Sequence, residues 1–141
     1  MTVKTLDNLV EDFALFDNWE DRYRYLIDLG QRLEPMDSSL KTDENLIKGC
    51  TSRVWMTSAI TEKEGAKIIR FHADSDAQIV RGLIYILVAA YQNKPVYEIS
   101  SVDIEAAFEN LGLAGHLSPN RRNGFFSMVE YIRTQGAQGV G

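Results

Sequence analysis

Cysteine is almost missing from this chain of 141 residues: Cys50 is the only one. One thiol excludes an intramolecular disulfide and leaves too few thiolates for a Cys-rich zinc or iron–sulfur site built by this chain alone. Positive charge is also scarce, with 15 Lys plus Arg against 20 Asp plus Glu and a net charge of −5, so the broad basic footprint of a DNA or RNA binder is lacking. The deficit is uneven. Residues 1–49 hold eleven acids and six bases, whereas residues 50–141 hold nine of each. The longest uncharged apolar run, Gly82 to Gln92, falls far below the roughly 20 residues that span a bilayer. The opening MTVKTLDNLVED turns acidic before an apolar signal region can form, so the expected setting is the reducing cytoplasm, with no membrane partner. What is present is ordinary globular composition, 45% hydrophobic and 25% charged, of a size that makes one domain. Residues 1–136 are expected to form it, with 137–141 as a flexible tail.

Helical spacing of Leu6, Leu9, Val10, Phe13 and Phe16 after Thr5, and of Trp19, Tyr23, Leu26, Ile27 and Leu33 after Asn18, predicts two amphipathic helices with capped starts. Pro35 to Asp43 reads as a loop leading to Leu46-Ile47. Alternation at Val54, Met56 and Ile60, turn residues at 62–65 and a β-prone stretch from Ala66 to His72 predict a hairpin. Gly65 supplies the positive φ. Ser75 with Gln78 fits a capping box for a helix whose apolar residues, Ile79 to Tyr91, cover every face. Two further helices follow, one with Ile104, Phe108 and Leu111 ended by Gly112, the other begun by Ser118-Pro119 with Phe125, Met128, Val129 and Ile132 as its buried stripe. The fold class is α+β, a small antiparallel β-sheet packed against several α-helices.

Three constellations could carry chemistry. Cys50 stands in Lys48-Gly49-Cys50-Thr51-Ser52-Arg53, a polar, locally cationic turn between expected strands, where positive charge lowers a thiol pKa from about 8.5. A lone Cys also serves as a small buried hydrophobe. Arg121 and Arg122 sit in the first turn of the last helix after His116-Leu117-Ser118-Pro119. There they oppose the helix dipole, a cost without local return that suggests an anion site beside the exposed amides; the plain alternative is a solvated first turn. Asp74-Ser75-Asp76 precedes the core helix, where acids stabilise a helix start without further duty. His72 and His116 read as structural, and Trp55 as packing.

Taken together these residues resemble the SufE family of cysteine-desulfurase sulfur acceptors, which includes CsdE. The matching blocks are Ile47-Lys48-Gly49-Cys50-Thr51-Ser52 with Val54-Trp55; Ala73-Asp74-Ser75-Asp76-Ala77 with Ile79-Val80-Arg81-Gly82-Leu83; and Leu111-Gly112-Leu113 with His116-Leu117-Ser118-Pro119-Asn120-Arg121 and Gly124. They run in the family's order across most of residues 5–134.

The resemblance implies an α+β fold of the SufE/IscU kind. It implies that Cys50 accepts persulfide sulfur from a cysteine desulfurase of SufS or CsdA type, stimulates it, and passes the sulfur toward an iron–sulfur cluster scaffold. Asp74 and Arg121 then match positions near the acceptor loop or involved in coupling to the desulfurase, and Gly49 and His116 lie in the matching blocks as supporting positions. No cofactor or metal is expected in the chain itself, since pyridoxal phosphate belongs to the partner. The expected chemistry is attack of the Cys50 thiolate on the outer sulfur of the donor persulfide, with Cys50 sheltered until the partner docks. Two rivals remain at this point: a module that activates a desulfurase without carrying sulfur, and a small hydrolase using Cys50, His116 and Asp74 as nucleophile, base and orienter.

Overall fold

The structure, a computed structural model, describes residues 4–48 and 52–140, the last by its backbone. Helix α1 (Leu6–Ala14) starts where Thr5 Oγ1 accepts from the Asn8 amide at 3.1 Å, and α2 (Trp19–Arg32) where Asn18 Oδ1 accepts from the Asp21 amide at 2.9 Å. Each cap satisfies a helix-end donor. The two helices bury Leu9 and Phe13, and Leu26 and Leu29, on their inner stripes. Residues 33–48 then run as loop with two short 3₁₀ turns, Ser38–Leu40 and Asp43–Asn45.

Strands β1 (Val54–Lys63) and β2 (Ala66–Ser75) form a two-stranded antiparallel sheet in register from Val54 opposite Ser75 to Lys63 opposite Ala66. The turn uses positive φ at both Glu64 (53°) and Gly65 (80°), the pattern whose twist matches a two-residue hairpin. The outer edge of β2 is closed without a third strand. The Ile69 amide donates to Lys94 O and Ile69 O accepts from the Asn93 amide, while the Gln92 carboxamide both accepts from the Phe71 amide (2.9 Å) and donates to Phe71 O (2.6 Å). A side chain thus substitutes for a neighbouring strand, leaving no open ladder at those residues.

Helix α3 (Gln78–Tyr91) is the central element, buried from Ile79 to Leu87 except at half-exposed Arg81. It crosses α2 where glycines meet. A Cβ on Gly30 would stand 2.7 Å from Gln78 O, and one on Gly82 would overlap Leu26 O. A 3₁₀ segment, Val96–Ser101, leads to α4 (Ile104–Asn110), capped by Asp103 and stopped by Gly112 at φ 75°. Helix α5 (Pro119–Val140) completes the core with Phe125, Met128, Val129 and Ile132.

Two expectations need correction. The proposed capping box does not form. Strand β2 extends through Ser75, whose Oγ donates to Arg53 O at 2.7 Å and accepts from the Ala77 amide at 3.2 Å, so α3 begins without a side-chain cap. The tail expected at 137–141 is helical through Val140. Gly136 lets α5 approach Ile99, and Gly139 packs beside Ile60 and Val96. These glycines, which resemble fraying signals in the sequence, are sites of close approach between elements.

Candidate functional site

Gly49 and Cys50 lie outside the described residues, and the site is defined by what brackets them. On one side Ile47 donates its amide to Val54 O at 2.8 Å, and Leu46 bridges to Trp55. On the other, the Arg53 amide donates to Asp76 Oδ1 at 3.2 Å, while Arg53 O accepts from Ser75 Oγ and from the Asp76 amide. The described residues on either side of 49–51 are therefore each tied to the hairpin or to the start of α3.

Next to the second point is a cleft of about 220 Å³. Ser52 and Val54 form one wall, Val80 and Leu83 of α3 another, and α5 with its preceding residue supplies Ser118, Asn120, Arg121, Gly124, Phe125 and Met128. Ser118 Oγ accepts from the Arg121 amide at 3.3 Å, which fixes the first turn of α5 behind Pro119. Arg121 is half-buried and has no ion-pair partner among the described residues. The cleft thus has an apolar floor, a cationic side chain and a helix start at its polar end. That combination favours an anion such as a thiolate while limiting access of water.

Asp74 is not in this cleft. Its carboxylate is 1% exposed and is the hub of a buried network. Oδ2 accepts from the Met36 amide at 3.0 Å and faces Lys41 Nζ at 3.4 Å; Oδ1 accepts from the Ser75 amide at 2.8 Å and pairs with Arg81. Arg81 also donates to Gly30 O (3.0 Å) and Leu33 O (2.9 Å), closing the end of α2. Burial alone raises the Asp74 pKa, but the Met36 and Ser75 amides with Arg81 and Lys41 outweigh it and hold the carboxyl below its usual range. Asp74 therefore ties the 34–42 loop, β2 and α3 together, one residue before the Ser75 that holds Arg53.

His116 is likewise outside the cleft. It is exposed and lies flat on Trp19, ring centroids 4.8 Å apart and planes within 9°. Arg22 packs against Gly112, where a Cβ would overlap its guanidinium. The segment leading into α5 is thus seated on the first turns of α2 at two points. The His72 ring faces Glu34 O at 3.4 Å.

The structure brings Arg121 to the residues that follow Cys50 and leaves Asp74 and His116 elsewhere, each with other partners. Sequence reasoning misses Lys41, Met36 and Arg81 as a network, and Ser118 and Asn120 as cleft walls. Arg81 carries a usable signal, since a single charge within an otherwise apolar helix needs a buried partner. Among the described residues no group of three or more His, Cys, Asp or Glu is placed to hold a metal ion, and no helix is long and apolar enough to cross a membrane.

Comparison with known proteins gives concordant results. A family model described as SufE, Fe–S metabolism associated domain, matches residues 7–136. An uncharacterised SufE-like protein of Rhizobium etli is 43% identical over 131 residues, covering 93% of this chain and 88% of that one. One from Rhizobium meliloti is 41% identical over 131 residues, covering 93% and 94%. The solution structure of a hypothetical protein from Thermus thermophilus shares the fold, with a TM-score of 0.73 at 15% identity over 99% of this chain and 98% of that one.

Proposed function

On the premise that this chain belongs to the SufE family and so to the proteins associated with Fe–S metabolism, we propose that it is a sulfur carrier. Cys50 takes sulfur from the persulfide of a pyridoxal-phosphate-dependent cysteine desulfurase of SufS or CsdA type in the cytoplasm, and hands it on toward cluster assembly. The observation that carries this reading is the cleft in which Ser52, two residues after Cys50, shares walls with Arg121 and the start of α5.

The step balances without an external oxidant. The Cys50 thiolate attacks the outer sulfur of the donor persulfide, an S–S bond forms on Cys50, the donor S–S bond breaks, and the donor cysteine departs as a thiolate. Attack on the inner sulfur would give a mixed disulfide instead. Arg121 and the positive end of the α5 dipole favour the anionic sulfur before and after transfer. Val54, Leu83, Phe125 and Met128 offer the persulfide a surface shielded from reductants and oxidants.

The hydrolase reading lacks its base and orienter. His116 stacks on Trp19, and Asp74 is occupied by Arg81, Lys41 and two amides. Incubation with cysteine and the desulfurase, followed by intact-mass measurement, tests the proposal. Cys50 is expected to gain one sulfur atom, and Cys50→Ser to lose both the gain and most of the stimulation. Full stimulation by Cys50→Ser would favour the activating module.

A further inference from the structure

A strand turns the amide and carbonyl of every second residue to the same edge. On the outer edge of β2 these are Ile69 and Phe71, and both are satisfied, Ile69 by Lys94 O and the Asn93 amide, Phe71 by the two ends of the Gln92 carboxamide. Ala73 lies two residues further on in the same unbroken register and presents its own amide and carbonyl to that side. Neither has a partner at that edge among the described residues, although Ala73 is only 2% exposed. Buried main-chain groups are rarely left unpaired. Here they border a cavity of about 370 Å³, lined by Ala73 and given an apolar surface by Leu33, Phe71 and Val88. It shares no residue with the cleft beside Ser52.

The neighbouring ladder position shows what satisfies such a pair. Gln92 meets Phe71 with a donor and an acceptor on one planar group, Oε1 accepting from the amide at 2.9 Å and Nε2 donating to the carbonyl at 2.6 Å. From this repeat we infer that the cavity beside Ala73 binds a small molecule carrying a primary carboxamide on an apolar ring or chain. The carboxamide bridges the Ala73 amide and carbonyl as Gln92 bridges those of Phe71, while the apolar body rests on Leu33, Phe71 and Val88. A carboxylate of the same shape has no proton to give the Ala73 carbonyl and sets a negative oxygen against it. An added peptide strand has no room. Gln92 closes the edge at Phe71, and the 34–36 loop is held to His72 and Asp74, so one residue of the ladder is open.

The probes are benzamide and benzoate, nearly identical in shape and different in whether the head group can donate. Each is titrated into the full chain, and amide ¹H–¹⁵N spectra are recorded. Benzamide is expected to shift the Ala73 amide and its neighbours saturably, with a millimolar dissociation constant suited to so few atoms. Benzoate is expected to bind at least about tenfold more weakly, because the Ala73 carbonyl then faces an acceptor. Val88→Phe, at a half-exposed position of α3 that lines the cavity, should fill part of it and weaken benzamide by about tenfold while the amide spectrum of α4 and α5 stays that of the parent. The benzamide–benzoate comparison on the parent decides the matter even where Val88→Phe fails to fold. Absence of a saturable benzamide shift, which would leave Ala73 to ordered water alone, equal affinity for benzoate, or unchanged benzamide affinity in a folded Val88→Phe overturns the inference.

Discussion

Two charged side chains, Asp74 and Arg121, carry opposite kinds of duty, and their surroundings explain why. Asp74 has both carboxylate oxygens engaged and is 1% exposed. Asparagine leaves Arg81 and Lys41 without a counter-charge and turns an NH2 donor toward one of the two backbone amides. Asp74→Asn is therefore expected to lower stability by about 3 kcal/mol in urea unfolding. Its depressed pKa sets the sign of the pH dependence. The carboxylate's contribution is complete above the unfolded-state value near 3.9 and is lost as pH falls through the lower folded value. Asp12 acts in the same direction, held down by Lys4 (2.8 Å) and the Tyr25 hydroxyl (2.5 Å). Unfolding followed below about pH 4 should show the parent losing stability more steeply than Asp74→Asn. Arg121, half-buried and unpaired among the described residues, stabilises the fold little. Arg121→Ala is expected to leave the urea midpoint nearly unchanged and to slow sulfur loading of Cys50 by about tenfold, with Arg121→Lys recovering part of the rate. Equal loading rates in all three proteins would remove Arg121 from the transfer step.

Among the elements, close approach of helices depends on glycines more than on large apolar side chains. Gly82 has no room for a Cβ against Leu26 O, and Gly30 faces Gln78 O. Gly82→Ala must push α2 away from α3, which carries the buried faces of the core, and is expected to cost about 2 kcal/mol or more, read as a lowered thermal midpoint. The end of α5 follows the same rule. Truncation after Gln135 would uncover Ile99, Ile60 and Val96, which Gly136 and Gly139 approach. The expected loss is about 1 to 2 kcal/mol. An unchanged midpoint would restore the dispensable tail that composition suggested.

At the scale of the whole molecule, the residues that follow Cys50 at Ser52 and the first turn of α5 meet across one cleft although about seventy residues separate them in the chain. The scaffold beneath is held by two anchors of different chemistry, the Asp74 network under β2 and the seat that Trp19 and Arg22 provide for residues 112–116. Trp19→Ala is expected to loosen the approach to α5 without disturbing the hairpin. The check is hydrogen exchange, which should rise at residues 113–121 and stay unchanged in β1 and β2.

Local chemistry alone determined the helix starts at Thr5, Asn18 and Ser118, the hairpin around Gly65, the stop at Gly112 and the buried stripes, because each rests on contacts within a few residues. The three ordered blocks around Cys50, Asp74 and Arg121 were equally legible as a resemblance, and family comparison bears it out. Only the tertiary structure decided that Arg121 joins Ser52 at the cleft while Asp74 and His116 do not, that Ser75 ends a strand instead of capping a helix, and that Gly136 and Gly139 belong to a packed helix. Those outcomes turn on which side chain or carbonyl arrives from a distant part of the chain. A buried charge takes the partner that packing brings to it, and a glycine's role depends on what lies opposite; neither is encoded in neighbouring residues.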